Sequence, residues 1–216
     1  MRVVSGTARG RKLFSPRGAD IRPTSGMVKQ AVFNIIQPHL DGARVLDLFS
    51  GTGQLGVEAL SRGAERCVFV DSSPASLELT RKNVSAARFD ARAELVRADA
   101  LSYLSRAAGF DVIFIDPPYD GRLAESAPPS RGSAFPGAAA HSSHTSAASD
   151  KSPDGYLLDS ALDRIIEFDI LRGRGIIVCE SRAGHNTPDA APPYKKLREY
   201  RYGGVKITLY SKETTV

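Results

Sequence analysis

A chain of 216 residues, 42% of them hydrophobic and 25% charged, has the size of one ordinary globular domain with room for a small extension. It contains no run of about eighteen apolar residues, which excludes an apolar membrane-spanning helix. Met1-Arg2-Val3-Val4-Ser5-Gly6 lacks the apolar stretch of a secretory signal, so a cytoplasmic protein without membrane contact is expected.

The net charge of +5 is unevenly placed. Residues 1–40 carry Arg2, Arg9, Arg11, Lys12, Arg17, Arg22 and Lys29 against the single acid Asp20, a balance of seven to one, and the remainder is close to neutral. A basic arm ahead of a balanced domain suits a polyanion-binding protein, because each cation that neutralises a phosphate releases counterions; a solvated basic face is the plain alternative. Within the arm, Arg2–Gly6 and Arg11–Phe14 read as two short strands around the turn-prone Gly6-Thr7-Ala8-Arg9-Gly10, a β-hairpin too short to stand alone. Val28, Ala31, Val32, Ile35 and Ile36 recur at helical spacing, which predicts a helix over 25–38 for the hairpin to pack on.

From residue 43 the pattern becomes short apolar runs alternating with amphipathic stretches. Residues 44–49, 67–70, 93–96, 111–115 and 176–179 read as strands covered on both faces, and 54–62, 74–87 and 159–168 as helices between them. That alternation predicts an α/β fold with a doubly wound, mostly parallel sheet. Residues 195–202 and 205–210, joined by Gly203-Gly204, read as an antiparallel hairpin at its edge. The stretch 121–155 is dominated by Ala, Ser, Pro and Gly and is expected to be a disordered insertion. His141 and His144 within it have no acidic or thiol partner at ligand spacing, and Cys67 and Cys179 sit in apolar runs, so no metal site is expected.

Leu46-Asp47-Leu48-Phe49-Ser50-Gly51-Thr52-Gly53 ends a strand in a glycine turn that opens a helix, an arrangement that brings backbone close to a nucleotide-like cofactor. Gly51-Thr52-Gly53-Gln54-Leu55-Gly56 is a literal GxGxxG with Asp71 twenty residues on, so a dinucleotide site fits these residues as well. Asp71, followed by Ser72, closes the second strand where a carboxylate can accept both hydroxyls of a ribose. Asp99, followed by Ala100, stands after the third strand, either to accept from an adenine amine or to cap the next helix.

Asp116-Pro117-Pro118-Tyr119 ends the fourth strand. Consecutive prolines lack N–H donors and hold φ fixed, so the segment presents acceptors. An exocyclic base amine is a poor nucleophile because its lone pair is delocalised. Accepting its two hydrogens, one at the Asp116 carboxylate and one at the Pro117 carbonyl, favours pyramidalisation and aims the nitrogen at an electrophilic methyl group. Tyr119 is placed to stack on the extruded base.

With these residues in place, the chain resembles the bacterial 16S ribosomal-RNA guanine-N2 methyltransferases of the RsmD type. The resemblance runs from Arg2–Gly6 and Arg9-Gly10-Arg11-Lys12-Leu13 through Arg22-Pro23-Thr24 and Ala31-Val32-Phe33-Asn34 to Leu46–Gly53, Leu55–Ala64 and Asp116–Tyr119. It implies a seven-stranded class I methyltransferase sheet with its last strand antiparallel. It implies S-adenosyl-L-methionine as donor, held by Asp47, Phe49, Ser50, Gly51, Thr52, Gly53, Asp71, Ser72, Asp99 and Ala100. Asp116, Pro117, Pro118 and Tyr119 are then catalytic, and Arg2, Arg9, Arg11, Lys12 and Arg22 bind ribosomal RNA, within an assembling small subunit, by a monomer. Residues 1–40 become a hairpin-and-helix extension and 41–216 the methyltransferase domain. The long polar insertion after Tyr119 departs from the family pattern. A nicotinamide-dependent oxidoreductase, or an amino methyltransferase of another RNA or DNA base, is the alternative.

Overall fold

Seven segments pair into a single sheet: β1 (Arg44–Asp47), β2 (Arg66–Asp71), β3 (Ala93–Arg97), β4 (Phe110–Ile115), β5 (Leu171–Arg182), β6 (Tyr194–Tyr202) and β7 (Val205–Lys212), in the order β3-β2-β1-β4-β5-β7-β6. The computed structural model describes residues 1–16, 26–107, 109–118 and 153–213. β1 to β5 run parallel, and β7 lies antiparallel between β5 and β6. The expected sheet and its hairpin are therefore present, with the last strand turned inward from the edge.

Side chains alternate across each strand, so each strand feeds two cores. Val45, Phe69, Phe114 and Val178 join the core under α1 (Gly26–Ile36), α2 (Gln54–Ser61) and α3 (Pro74–Ala87). Leu46, Val68, Ile113 and Ile177 face α4 (Ala100–Leu104) and α5 (Pro153–Glu167). α2 lies unusually close to the sheet at Gly56, where a Cβ would come within 2.2 Å of the Phe69 ring and 2.6 Å of Cys67 Sγ.

Local chemistry sets the helix limits. Ser73 caps α3 by accepting from Ser76 N at 3.3 Å, Pro74 fills the first position, and Arg88 ends it in the left-handed region. Residues 121–152 lie outside the described residues, but the tail of the expected disordered stretch needs correction. α5 begins at Pro153 rather than near Asp159, because a proline is accommodated in a first turn, where its missing N–H has no intrahelical partner to lose.

The arm also differs from the expected pair of strands. Val3 N donates to Arg11 O at 3.0 Å and Gly10 N to Val3 O at 2.9 Å, around the single bridge Arg2–Lys12. The ladder stops there because the next two N–H groups have a stronger acceptor. Val4 N and Ser5 N donate to the two carboxylate oxygens of Glu58 on α2, at 2.8 and 2.9 Å. Glu58 is fully buried and also pairs with Lys29 Nζ at 3.3 Å and Arg62 Nε at 3.0 Å. Lys29, counted in the basic arm from sequence, is thus a 3% exposed internal partner that also donates to Arg2 O.

Breaking a buried ionic cluster by removing one member typically costs about 3–5 kcal/mol, because the remaining charges lose their partner. Glu58→Ala is therefore expected to lower the unfolding free energy by about 3 kcal/mol or more. Urea denaturation measures this, together with faster amide exchange at Val4 and Ser5; unchanged exchange there would rule out Glu58 as the anchor of the arm.

Candidate active site

β1 ends at Asp47, and the chain turns through Leu48–Gly53 into α2. Gly51 and Gly53 hold φ of +52° and +72°, and Gly53 N donates to Ser50 O at 2.6 Å. A side chain at Gly53 would be strained and would also meet the Thr80 methyl at 2.7 Å. At Gly51 the space a Cβ would enter is open, its nearest neighbour being Phe49 O at 4.0 Å.

The loop is pinned from three sides. Thr80 Oγ1 donates to Gly51 O at 3.0 Å, and Asn83 Nδ2 donates to Thr52 O at 2.8 Å, both from the buried face of α3. Asn83 also receives Phe14 N on Oδ1 at 2.6 Å, so one amide joins the arm to the loop. Below, Asp47 accepts from Gly56 N at 3.0 Å. From β2, Asp71 accepts Gly51 N on one oxygen and Ser73 N on the other, both at 2.8 Å. Each Asp71 oxygen keeps a further lone pair for a hydroxyl. Thr80 and Asn83 were not singled out from sequence; their signal is two polar residues three apart on the apolar stripe of α3, between Leu77 and Val84.

The remaining candidates fall as follows. Ser50 is buried, and its Oγ has no hydrogen-bond partner among the described residues. Ser72 is exposed beside Asp71. Asp99 is exposed and caps α4, accepting from Ser102 N at 2.8 Å, with Ala100 buried behind it. The capping role is thus present, and it leaves the other Asp99 oxygen out of the cap. Asp116 is half-buried and Pro117 buried, directly beyond β4. Asp116 lines one small cavity with Lys29, Leu55 and Glu180, so the residue lies near the first turn of α2. Tyr119, Arg22, Pro23 and Thr24 lie outside the described residues. Arg2, Arg9, Arg11 and Lys12 are exposed, and Arg11 also donates to Ala86 O at 2.9 Å.

The electrostatics of this end of the sheet are acidic. Burial pushes the Asp47 carboxyl up to about 7 against the opposing bond from Gly56, with Asp71 adding repulsion. Burial also raises Asp71. Asp116 is raised well above the carboxylate range, first by burial, then by Glu180 and Asp47. Burial likewise raises Cys67 and Cys179, which are inert structural thiols among the described residues.

The family model described as conserved hypothetical protein 95 matches residues 1–127, which span the arm, the glycine loop and the Asp116 segment. The chain belongs to this family. Within reach of the conserved hypothetical protein 95 fold, a Bacillus subtilis (strain 168) protein named "Putative rRNA methyltransferase YlbH" is 33% identical over 216 residues, 98% of this chain and 99% of that one. The Haemophilus influenzae protein named "Ribosomal RNA small subunit methyltransferase D" is 35% identical over 131 residues, covering 59% of this chain and 68% of its own. Among solved structures, "Putative methyltransferase yhhF from Escherichia coli" superposes with a TM-score of 0.74 at 25% identity, over 99% of this chain and 98% of that one.

A carboxyl raised by burial holds its proton in the folded chain after the unfolded chain has released it, so its ionisation opposes folding. For Asp47, the folded state binds more protons between about pH 4 and about pH 7, and stability falls as pH rises through that window. Asp47→Asn keeps an oxygen for Gly56 N and removes the titration. The loss of stability between about pH 5 and about pH 8, read from urea midpoints, is expected to shrink in this variant; an unchanged slope would show that Asp47 does not carry it.

Proposed function

We propose that the protein transfers a methyl group from S-adenosyl-L-methionine to the exocyclic N2 amine of a guanine in 16S ribosomal RNA of the small subunit. The observation that carries this reading is the placement of Asp116-Pro117 at the end of β4, which pairs in parallel with β1, the strand that leads into the loop of Ser50 to Gly53, in a chain of the conserved hypothetical protein 95 family.

The residues fit that donor. Asp47, Asp71, Asp116 and Glu180 gather carboxylates at one end of the sheet, where a cationic sulfonium is favoured and the pyrophosphate of a nicotinamide dinucleotide is repelled. The buried Ser50 hydroxyl, without a partner among the described residues, and the open space beside Gly51 are what a cradle for a small polar ligand leaves. Ser50 to Gly53, with Phe49 and Asp47 behind them, Asp71 with Ser72, and Asp99 with Ala100 are the residues to hold it. When bound, S-adenosyl-L-methionine supplies an electrophilic methyl group on sulfur.

The chain's own residues prepare the nucleophile. The Asp116 carboxylate accepts one amine hydrogen and the Pro117 carbonyl the other, which localises the nitrogen lone pair and orients it. As the new N–C bond forms, the nitrogen becomes acidic, and Asp116, made more basic by its buried surroundings, is placed to take the proton. Pro118 stiffens the segment, and Tyr119 stacks on the base. The exposed Arg2, Arg9, Arg11 and Lys12, with Arg22, grip RNA phosphates. With this reading go action as a monomer in the cytoplasm, on RNA in an assembling small subunit.

Asp116→Ala is expected to lower methyl transfer by about 100-fold or more, with the Kd for S-adenosyl-L-methionine within about threefold. Isotope transfer and calorimetry measure the two, and sustained turnover would remove Asp116 from the catalytic role. Reversing Arg9 and Arg11 to Glu is expected to weaken RNA binding and to flatten the slope of log K against log salt by about 1–2. An unaltered slope would take the arm out of the interface.

A further inference from the structure

The other end of the sheet, where the parallel strands begin, carries a second concave surface. Arg44 and Arg66 open β1 and β2 and are direct cross-strand partners. Their strands run about 4.8 Å apart, and both side chains leave the sheet on the face of Leu46 and Val68, which belong to the core under α4 and α5. Like charges set directly opposite each other in a sheet are unfavourable. No carboxylate offsets this pair, since neither guanidinium makes a salt bridge among the described residues, and Arg66 is exposed. Arg44 Cζ lies over the Phe110 ring, 5.0 Å from its centroid, which steadies the side chain without using its N–H groups.

Two more arginines border the same hollow. Arg92, directly before β3, lies over the Phe89 ring at 4.6 Å and donates to Ala64 O and Leu60 O at 3.1 and 3.4 Å. Arg172 comes from a bulge: Leu171 pairs with Phe110 and Ile176 with Val112, so the four residues from Arg172 to Gly175 stand against Asp111 alone. Asp111 is already engaged, by Arg172 Nη1 at 3.3 Å and by Arg44 N at 2.8 Å. Arg44, Arg66, Arg92 and Arg172 line, with Glu65 and Glu94, an open cleft of about 290 Å³. Four cations against two anions leave it positive, and its volume is close to the roughly 300–1,000 Å³ of sites that hold small ligands.

Guanidinium groups gathered in this way match phosphate, whose oxygens accept two N–H groups from one planar fork. Of the two substrates in the reading above, S-adenosyl-L-methionine carries no phosphate, and RNA carries one at every nucleotide. We propose that the cleft is a second RNA contact, in which Arg44 and Arg66 bind backbone phosphates at the opposite end of the strands from Asp116. Such a contact positions RNA without reading its sequence. The site stands on the arginine geometry, and only the source of its phosphate rests on the RNA reading.

Fluorescence anisotropy with small-subunit RNA, over about 50–200 mM salt, tests the contact. Arg66→Gln changes an exposed side chain that holds no partner among the described residues, so the fold is not at stake. It is expected to raise the RNA Kd about threefold or more at the lowest salt and to flatten the slope of log K against log salt by about 0.7–0.9, the share of one phosphate. Adding Arg44→Gln is expected to extend the flattening to about 1.5. Lys195→Gln, which removes one exposed charge from β6, measures what the loss of net charge does by itself. An effect of Arg66→Gln no larger than that of Lys195→Gln would overturn the proposal. Calorimetry with inorganic pyrophosphate separates the sources of phosphate: binding by the unchanged protein that Arg66→Gln abolishes, with RNA affinity unaltered, would give the cleft to a free phosphate and end its role as an RNA contact. Failure of the unchanged protein to make N2-methylguanosine would defeat the methyl-transfer reading, and the salt slope, which needs no turnover, would still decide the cleft.

Discussion

The Glu58 carboxylate is the interaction on which the architecture turns. It sits fully buried on α2, one turn past the glycine loop, and receives two backbone N–H groups of the arm together with Lys29 of α1 and Arg62 of its own helix. A charge taken out of water needs such saturation, since desolvation alone disfavours it by several kcal/mol. In meeting that need, Glu58 fixes three elements against one another. The arm, α1 and α2 become one body, although the described residues of the arm make only a single bridge of their own.

That body extends to the reactive end of the sheet. Asn83 holds Phe14 of the arm and Thr52 of the glycine loop with one side chain, and Thr80 holds Gly51 from the same helix face. Arg9 and Arg11 of the arm and the glycine loop are therefore separated by a few hydrogen bonds rather than by a flexible linker. The carboxylates at the strand ends are arranged on opposite terms. Asp47 and Asp116 are sheltered and pushed toward their neutral forms, a condition tolerated where function needs acceptors poised for a cationic or donor-rich ligand.

Much of this was legible in the residues. The limits of α3 follow from Ser73, Pro74 and an apolar stripe, and the sheet follows from five continuous apolar runs. The family motif at Asp116 falls where a parallel sheet binds ligands. What escaped was of two physical kinds. Contacts between a side chain and distant backbone, such as Glu58 with Val4 or Asn83 with Phe14, leave no periodic trace, because nothing local ties residues 54 or 69 positions apart. Glycine and charge also masked regular structure: the strand expected over 176–179 begins at Leu171, through Leu171-Arg172-Gly173-Arg174-Gly175, with a register irregularity between Phe110 and Val112 on the facing strand. Glu180 was hidden for a related reason, since its neighbour across the sheet is sixty-four positions earlier in the chain.

The position of β7 has a consequence for biosynthesis. Strands leave the ribosome in chain order, but β7 lies between β5 and β6, so the outer edge of β5 stays open until residues 205–212 have been made. An unpaired, apolar strand edge is a template for wrong pairing. The arm and α2, by contrast, are available early. A nascent chain can thus assemble its glycine loop while one flank still awaits closure, and crowded growing chains are most prone to associate through β5 during that interval.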